Sequence, residues 1–370
     1  MPGLRGCVSR CSPASGSPVD KVVGGIVIRK NVKEMTGYTP GEQPRRAGLV
    51  KLNTNENPYP PSPRVVAALS LLEPADLRLY PDPMALDVRQ SIARLHGVTV
   101  DHVFSGNGSD EILSLCTRAF VEDGDAIGYF DPSYSLYPVL AAIRNVPGWP
   151  CRLDDAFGWP CNDPEPCALF FLTNPNAPTS LAFPLEKITA FCRAFPGVVL
   201  IDEAYVDFAP FHCMELAKTF PNVLVMRTLS KSYSLAGIRF GYVVGSPDLI
   251  GALFKIKDSY NIDRITQVIA RAAIEDQGHM MGNVARIKST RARLTRGLTA
   301  LDFEVSESAS NFLWARPKRL EAQKVFESLK AEGVLVRYFP GERTGFHVRI
   351  TVGTDAEADR LLAVLGGGKA

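Results

Sequence analysis

Long apolar runs are missing from this chain. None approaches the roughly 18 consecutive residues that suggest a membrane-spanning helix, so no such helix is expected. An excess of one charge is missing too: 41 Lys and Arg face 39 Asp and Glu, a net charge of +2. That balance argues against a general nucleic-acid binder, which concentrates basic surface. The eight cysteines (Cys7, Cys11, Cys116, Cys151, Cys161, Cys167, Cys192 and Cys213) include no C-x-x-C pair, and the five histidines are scattered. No metal site is expected from that pattern. Cys116, Cys167 and Cys192 lie in apolar stretches and read as buried thiols, as in a reducing compartment. The first twenty residues lack an apolar core segment and carry no acid before Asp20. A secretory signal does not fit; Arg5, Arg10 and the serines only faintly resemble an organellar transit peptide. A short disordered extension over residues 1–30, or a start codon set too early, and a cytoplasmic location are expected.

What is present is enough for two domains. A chain of 370 residues exceeds one ordinary core, and 46% apolar with 22% charged residues is the composition of a globular protein. Pro58, Pro60, Pro61 and Pro63 cannot occupy a helix interior or central strand, so this stretch reads as a linker. A first helix is expected over residues 64–72. From there to about Asp263, short apolar runs alternate with helix-like segments, which predicts a mostly parallel sheet with helices on both faces. Residues 265–300 have long helical character, and the basic run Arg286, Lys288, Arg291, Arg293 and Arg296 reads as a solvated face. Beyond Phe303 the pattern becomes that of a smaller α+β unit, with strands over 312–315 and 347–352 and helices over 320–332 and 355–365.

Chemistry concentrates at the ends of three apolar runs. Val223-Leu224-Val225-Met226 leads into Thr228, Ser230, Lys231 and, eight residues later, Arg239. A lysine at a buried strand end can lose its proton and attack a carbonyl to give a Schiff base. Hydroxyls and a guanidinium around it suit a phosphate-bearing aldehyde, although a polar loop would read the same way. Val198-Val199-Leu200-Ile201 ends in Asp202-Glu203-Ala204-Tyr205, where Asp202 is either a cap or the acid that keeps a pyridine nitrogen protonated. Ala168-Leu169-Phe170-Phe171-Leu172 runs into Asn174-Pro175-Asn176-Ala177-Pro178-Thr179. Gly106-Asn107-Gly108-Ser109-Asp110-Glu111 opens an apolar-periodic segment, as a phosphate-binding helix N-terminus or an ordinary acidic first turn would.

Together these motifs, in this order and spacing, resemble the signature set of class I/II aminotransferases, the fold-type I pyridoxal-phosphate enzymes. Leu52-Asn53-Thr54-Asn55-Glu56-Asn57-Pro58-Tyr59, Tyr80-Pro81-Asp82-Pro83, Gly37-Tyr38-Thr39-Pro40-Gly41 and Arg349-Ile350-Thr351-Val352-Gly353 are similar to the histidinol-phosphate branch of that family. The resemblance runs from about Asn31 to the C-terminal helix. It implies an α/β fold with a large cofactor-binding domain over 64–275 and a small domain over 276–370, which the arm and linker at 31–63 join. It implies pyridoxal 5'-phosphate as cofactor, with Lys231, Asp202 and Tyr205 as the catalytic set. The backbone of Ser109 and Asp110, with Thr228, Ser230 and Arg239, would hold the cofactor phosphate; Tyr134 would stack on the ring, and Asn176 and Tyr205 would bind its phenolic oxygen. Arg349 would take the substrate α-carboxylate and Arg337 a substrate phosphate. Tyr38 and Tyr59 would reach substrate and cofactor phosphates from the partner of an obligatory homodimer.

The implied reaction converts L-histidinol phosphate and 2-oxoglutarate to imidazole acetol phosphate and L-glutamate in histidine biosynthesis. Aromatic amino acid transamination, or threonine-phosphate decarboxylation, is the alternative on the same scaffold. A regulator built on an aminotransferase-like domain would need a DNA-binding module, which thirty Gly- and Ser-rich residues cannot form. One departure stands out: Ser180 occupies a position where the family usually has glycine, and a tolerated change is expected.

Overall fold

The computed structural model describes residues 27–44, 48–160, 162 and 164–367. Cys7, Cys11 and Cys161, with residues 1–26 of the extension expected over 1–30, lie outside the described residues; Lys30, its last position, begins the helix Lys30–Glu34. The centre is a seven-stranded sheet in the spatial order Val103–Asn107, Phe240–Val244, Val223–Thr228, Val198–Asp202, Leu169–Thr173, Ile127–Asp131, Gly148–Arg152. All neighbours run parallel except Phe240–Val244, which is antiparallel to both of its neighbours. Leu169–Thr173 is buried at every position, and Val198–Asp202 at all but its first. Strands covered on both faces need apolar side chains on both, hence near-continuous runs in place of alternation. One cluster, with Phe170, Leu172, Val199, Ile201, Val223 and Val225, fills one face; a second, with Phe171, Leu200, Leu224 and Met226, fills the other.

A four-stranded antiparallel sheet forms from Arg337–Tyr338, Val348–Thr351, Phe312–Pro317 and Phe303–Val305. Val50–Lys51, from the N-terminal arm, pairs in parallel with Val334–Leu335. Leu52 O then accepts the Thr351 N–H at 2.9 Å, so the arm is stitched to the end of the strand Val348–Thr351. The expected domain boundary at 275/276 falls between the helices Arg264–Ile274 and Gln277–Ala300.

Three local expectations are corrected. Pro63 belongs to a helix, Pro63–Ser70, as its first residue, where its missing N–H leaves no bond unmade; Ser62 Oγ accepts the Arg64 N–H at 3.0 Å. The single long helical stretch is two helices, because Asp276 leaves the helical conformation and turns its carboxylate onto the His279 N–H. The basic run is solvated at Arg286 and Arg296, as expected, but several of its members also clasp neighbouring elements. Arg286 lies 3.5 Å over the Tyr59 ring, Arg291 donates to Ser310 O at 2.6 Å, and Arg293 pairs with Asp355 and Asp359. Burial pushes the thiols of Cys167 and Cys192 up, to about 11 and about 12, so they stay protonated.

Candidate active site

Parallel strands present their carboxyl ends on one edge of the sheet, the edge where α/β proteins place their ligands. Asp202 closes its strand, and Lys231 stands three residues past the end of the neighbouring strand Val223–Thr228. The two strands pair with Asp202 opposite Met226. Between this edge and the smaller sheet lies a cavity of about 360 Å³. Lys231, Asp202, Tyr205, Ser109, Asp110, Tyr134, Thr228, Ser230, Arg239, Tyr38, Arg337 and Arg349 all line it.

Its floor is fixed by buried hydrogen bonds. Asp202 is buried, with Oδ1 accepting the Ala204 N–H at 3.0 Å and Oδ2 accepting the Tyr137 hydroxyl at 2.9 Å. Burial raises its carboxyl from 3.8 to about 6, against the opposing pull of those two donors. Tyr137 is itself fully buried, stacks on Phe171 at 4.7 Å and also meets Thr173 Oγ1. A buried carboxylate with no cation beside it is an expensive arrangement, and a positive ring nitrogen is the partner that would relieve it.

An anion cradle opens beside the floor. Gly108 takes φ +78 just before the helix Ser109–Phe120, and a Cβ there would come within 2.7 Å of Arg239 Nη2. Gly241 is held to glycine by approach: a Cβ would meet the Ser109 nitrogen at 2.7 Å. Helix N–H groups, the hydroxyls of Thr228 and Ser230 (3.0 Å apart) and the Arg239 guanidinium therefore converge. Arg239 Nη2 lies 3.4 Å from Asp110 Oδ2, in a half-exposed pair, and Nη1 lies 3.5 Å from the buried Ser230 Oγ, both long contacts. Lys231 Nζ donates to Thr54 O at 3.3 Å and lies 5.6 Å from the centre of the Tyr205 ring. Tyr134 spans the mouth, its ring edge-on to Tyr38 at 5.8 Å and its hydroxyl 3.3 Å from Asp110 Oδ1. Burial and Asp110 both drive that hydroxyl up, so it remains a donor.

The opposite wall carries Arg337 and Arg349, directly opposite each other across the antiparallel pair Arg337–Tyr338 and Val348–Thr351. Like charges at such a position destabilise a sheet unless something neutralises them. Among the described residues neither arginine has a carboxylate within salt-bridge distance. Arg337 donates to Thr39 O (3.2 Å) and Pro40 O (3.3 Å), and Arg349 Nη2 to Asn53 O (3.1 Å). Burial, and to a smaller degree Arg337, hold the Arg349 guanidinium below its usual value. Its Nε is buried without a partner, as are Asn53 Oδ1 and Thr54 Oγ1 nearby.

Two expected site residues stand outside the cavity. Asn176 is fully buried in its loop: Nδ2 donates to Pro132 O and Thr179 Oγ1, both at 3.0 Å, and Oδ1 accepts from Ser133 Oγ at 3.1 Å. Ala177 and Pro178 form the wall in its place. Tyr59 is buried beneath Arg286. Tyr38, expected from a partner chain, lines the cavity of its own chain. Its arm folds back, with Asn31 Nδ2 donating to Ala142 O at 2.8 Å. Sequence reasoning missed Tyr137 and Asn55. Tyr137 follows Tyr134 by three residues, hence one face of a helix start, and Asn55 is a residue type that tolerates the left-handed φ of +56 found there.

The cavity fits pyridoxal phosphate by its donor set: one amine, a buried acid, an anion cradle with room made by glycine, and a guanidinium nitrogen that lacks a partner. The family model "Aminotransferase class I and II" matches residues 47–365. The chain is 41% identical to the histidinol-phosphate aminotransferase of Synechocystis sp. over 342 residues, covering 92% of this chain and 97% of that protein. It is 43% identical to the protein of that name from Syntrophotalea carbinolica, covering 91% and 98%. Among solved structures, histidinol-phosphate aminotransferase from Sinorhizobium meliloti, in complex with pyridoxal-5'-phosphate, superposes with a TM-score of 0.82 at 26% identity, covering 92% of this chain and 98% of that one.

Proposed function

The chain belongs to the class I and II aminotransferases, and from that premise we propose that it moves an amino group between L-histidinol phosphate and 2-oxoglutarate. The products are imidazole acetol phosphate and L-glutamate, a step of histidine biosynthesis. Pyridoxal 5'-phosphate is the cofactor, and it supplies the electron sink that makes a Cα–H bond acidic.

The residues divide the remaining work. Lys231 is the amine that would hold the cofactor, and the group placed to take a substrate Cα proton and to return it. Its half-buried position and its bond to Thr54 O keep it at the cavity floor. Asp202, aligned by Tyr137 and the Ala204 N–H, holds a positive ring nitrogen. Ser109, Asp110, Thr228, Ser230 and Arg239 receive the cofactor phosphate, and Tyr134 covers the ring. Tyr205 donates to the ring's phenolic oxygen. Asn176, expected to do the same, has its amide occupied within its loop and is left out of the assignment.

The observation that carries the substrate is the pair Arg337 and Arg349 on one wall. One guanidinium satisfies an α-carboxylate; a second, unneutralised one beside it calls for a further anion, as the phosphate of histidinol phosphate provides. The test is a side-by-side assay with histidinol phosphate, phenylalanine and threonine phosphate as donors. Histidinol phosphate should give the highest kcat/KM; a preference for phenylalanine, or release of carbon dioxide from threonine phosphate, would replace this reading.

The enzyme works as a homodimer in the cytoplasm. Leu71, Leu77, Leu79, Tyr80 and Ile265 are exposed, and four of them line one shallow surface pocket where a second copy would bury them. Among the described residues no helix is long and apolar enough to cross a membrane.

A further inference from the structure

The position assigned to Asn176 is empty of its amide, which raises the question of what else directs hydrogen bonding at the phenolic oxygen. Tyr205 lines the cavity, and its hydroxyl oxygen lies 3.0 Å from Asn55 Nδ2. Asn55 is 1% exposed and is pinned from the smaller sheet. Its N–H donates to Thr351 Oγ1 at 3.0 Å, the Thr351 hydroxyl donates back to Asn55 Oδ1 at 3.0 Å, and Asn311 Nδ2 donates to Asn55 O at 3.0 Å. Thr351 is 2% exposed, and its proton has Asn55 Oδ1 as acceptor. Turned over, the amide would leave that buried proton without one, so the amide's orientation is fixed. Nδ2 must then face Tyr205, which makes the phenol oxygen an acceptor and leaves its own proton free to point into the cavity.

Resting on the cofactor assignment above, we infer that Asn55, locked by Thr351, is a positioning residue that aims the Tyr205 proton at the cofactor's phenolic oxygen. Three parts of the chain thereby act on one atom: the arm, the last residue of the strand Val348–Thr351 and the turn after Asp202. A donor to the phenolate competes with the proton that oxygen shares with the neighbouring nitrogen. Removing the donor raises proton affinity there, and the visible absorbance of the holoenzyme titrates at higher pH.

The experiment is that pH titration, on the holoenzyme. Tyr205→Phe should raise the midpoint by roughly one unit, a tenfold change in proton affinity. Asn55→Gly, chosen because glycine accepts the left-handed φ, should raise it in the same direction and add nothing in the Tyr205→Phe background. Thr351→Val should give a smaller rise that Thr351→Ser abolishes, and this pair carries the test alone if Asn55→Gly does not fold. An unchanged midpoint in Asn55→Gly or in Tyr205→Phe overturns the inference, and so does a shift that persists without the Tyr205 hydroxyl. A wild-type protein with no titrating visible band, and with nothing fixed to Lys231 by borohydride, discards the cofactor assignment and this inference with it.

Discussion

The two walls of the cavity differ in how complete they are. On the sheet side, Asp202, Thr228, Ser230 and Tyr137 are buried, and each side-chain oxygen already has a protein partner. On the arm side, Asn53 Oδ1, Thr54 Oγ1 and Arg349 Nε are buried without one, and Arg337 faces Arg349 with no acid between them. The first wall is finished by folding; the second is finished by a ligand. An unmade buried hydrogen bond costs about 1–3 kcal/mol, and an anion of the right shape would accept from the two donors among them, Arg349 Nε and the Thr54 hydroxyl, while Asn53 Oδ1 needs a ligand donor. Chemistry common to many substrates would then belong to the sheet, and choice of substrate to the arm and the smaller sheet.

Substitutions on the sheet side should break every reaction alike. Lys231→Ala should lower turnover with all donors by on the order of 10⁴-fold, because the proposed assignment makes one group anchor, base and acid. Mass spectrometry after borohydride treatment should find the cofactor on Lys231 in the wild type and on no residue in the variant. A label on another lysine would move the chemistry away from the sheet edge.

Asp202→Asn comes next, and it separates activity from stability. Turnover should fall by about 10²–10³-fold with every donor, because an amide does not hold a proton on a ring nitrogen. The cofactor-free protein should behave oppositely. Burial lifts the Asp202 carboxyl from 3.8 to about 6, so the folded chain holds this proton more tightly than the unfolded one does. The side chain therefore imposes no penalty below pH 4, a growing one between 4 and 6, and a full one above 6. Two units correspond to about 3 kcal/mol at most, so Asp202→Asn should stabilise the apoprotein at pH 7 by about 1–3 kcal/mol and not at all at pH 4. Equal stability at both values would mean the wild-type carboxylate is already compensated.

The two walls were also unequally legible in the sequence. Apolar runs ending in Lys231, Asp202 and Asn174–Thr179 announced buried strands with functional ends, because a strand covered on both faces cannot hide its composition. The arm side had no such periodicity. Arg337 and Arg349 sit on short strands that any small sheet could supply, and only family resemblance singled them out. Asn176 misled for a related reason: the loop's backbone, not its residue types, decides that Ala177 faces inward. Tyr137 and Asn55 touch Asp202 and Tyr205, and no linear motif encodes contacts 65 and 150 residues apart.

Arg337→Ala sharpens the comparison from the arm side. A charge-assisted bond to phosphate contributes about 1.5–3 kcal/mol, so kcat/KM for histidinol phosphate should drop roughly 10- to 100-fold. Phenylalanine turnover should change by less than about threefold, within the ordinary effect of a surface substitution. Equal losses for both donors would assign Arg337 to the common machinery and erase the division between the walls.

The smallest effect lies where the walls meet. Ser180 closes the loop that carries Ala177 and Pro178, and its carbonyl accepts the Ala309 N–H of the smaller sheet's side at 2.8 Å. It holds φ +65, and its hydroxyl is buried without a partner. Both features favour glycine. Ser180→Gly removes a left-handed strain of about 1–2 kcal/mol and a stranded hydroxyl, partly offset by glycine's greater freedom when unfolded. A net gain of about 1 kcal/mol in denaturant unfolding is expected, with kcat/KM unchanged for every donor. Because Ser180 does not itself line the cavity, a change in donor preference in this variant would show that the loop's backbone transmits strain from one wall to the other. That result would make the walls one mechanical unit and not two.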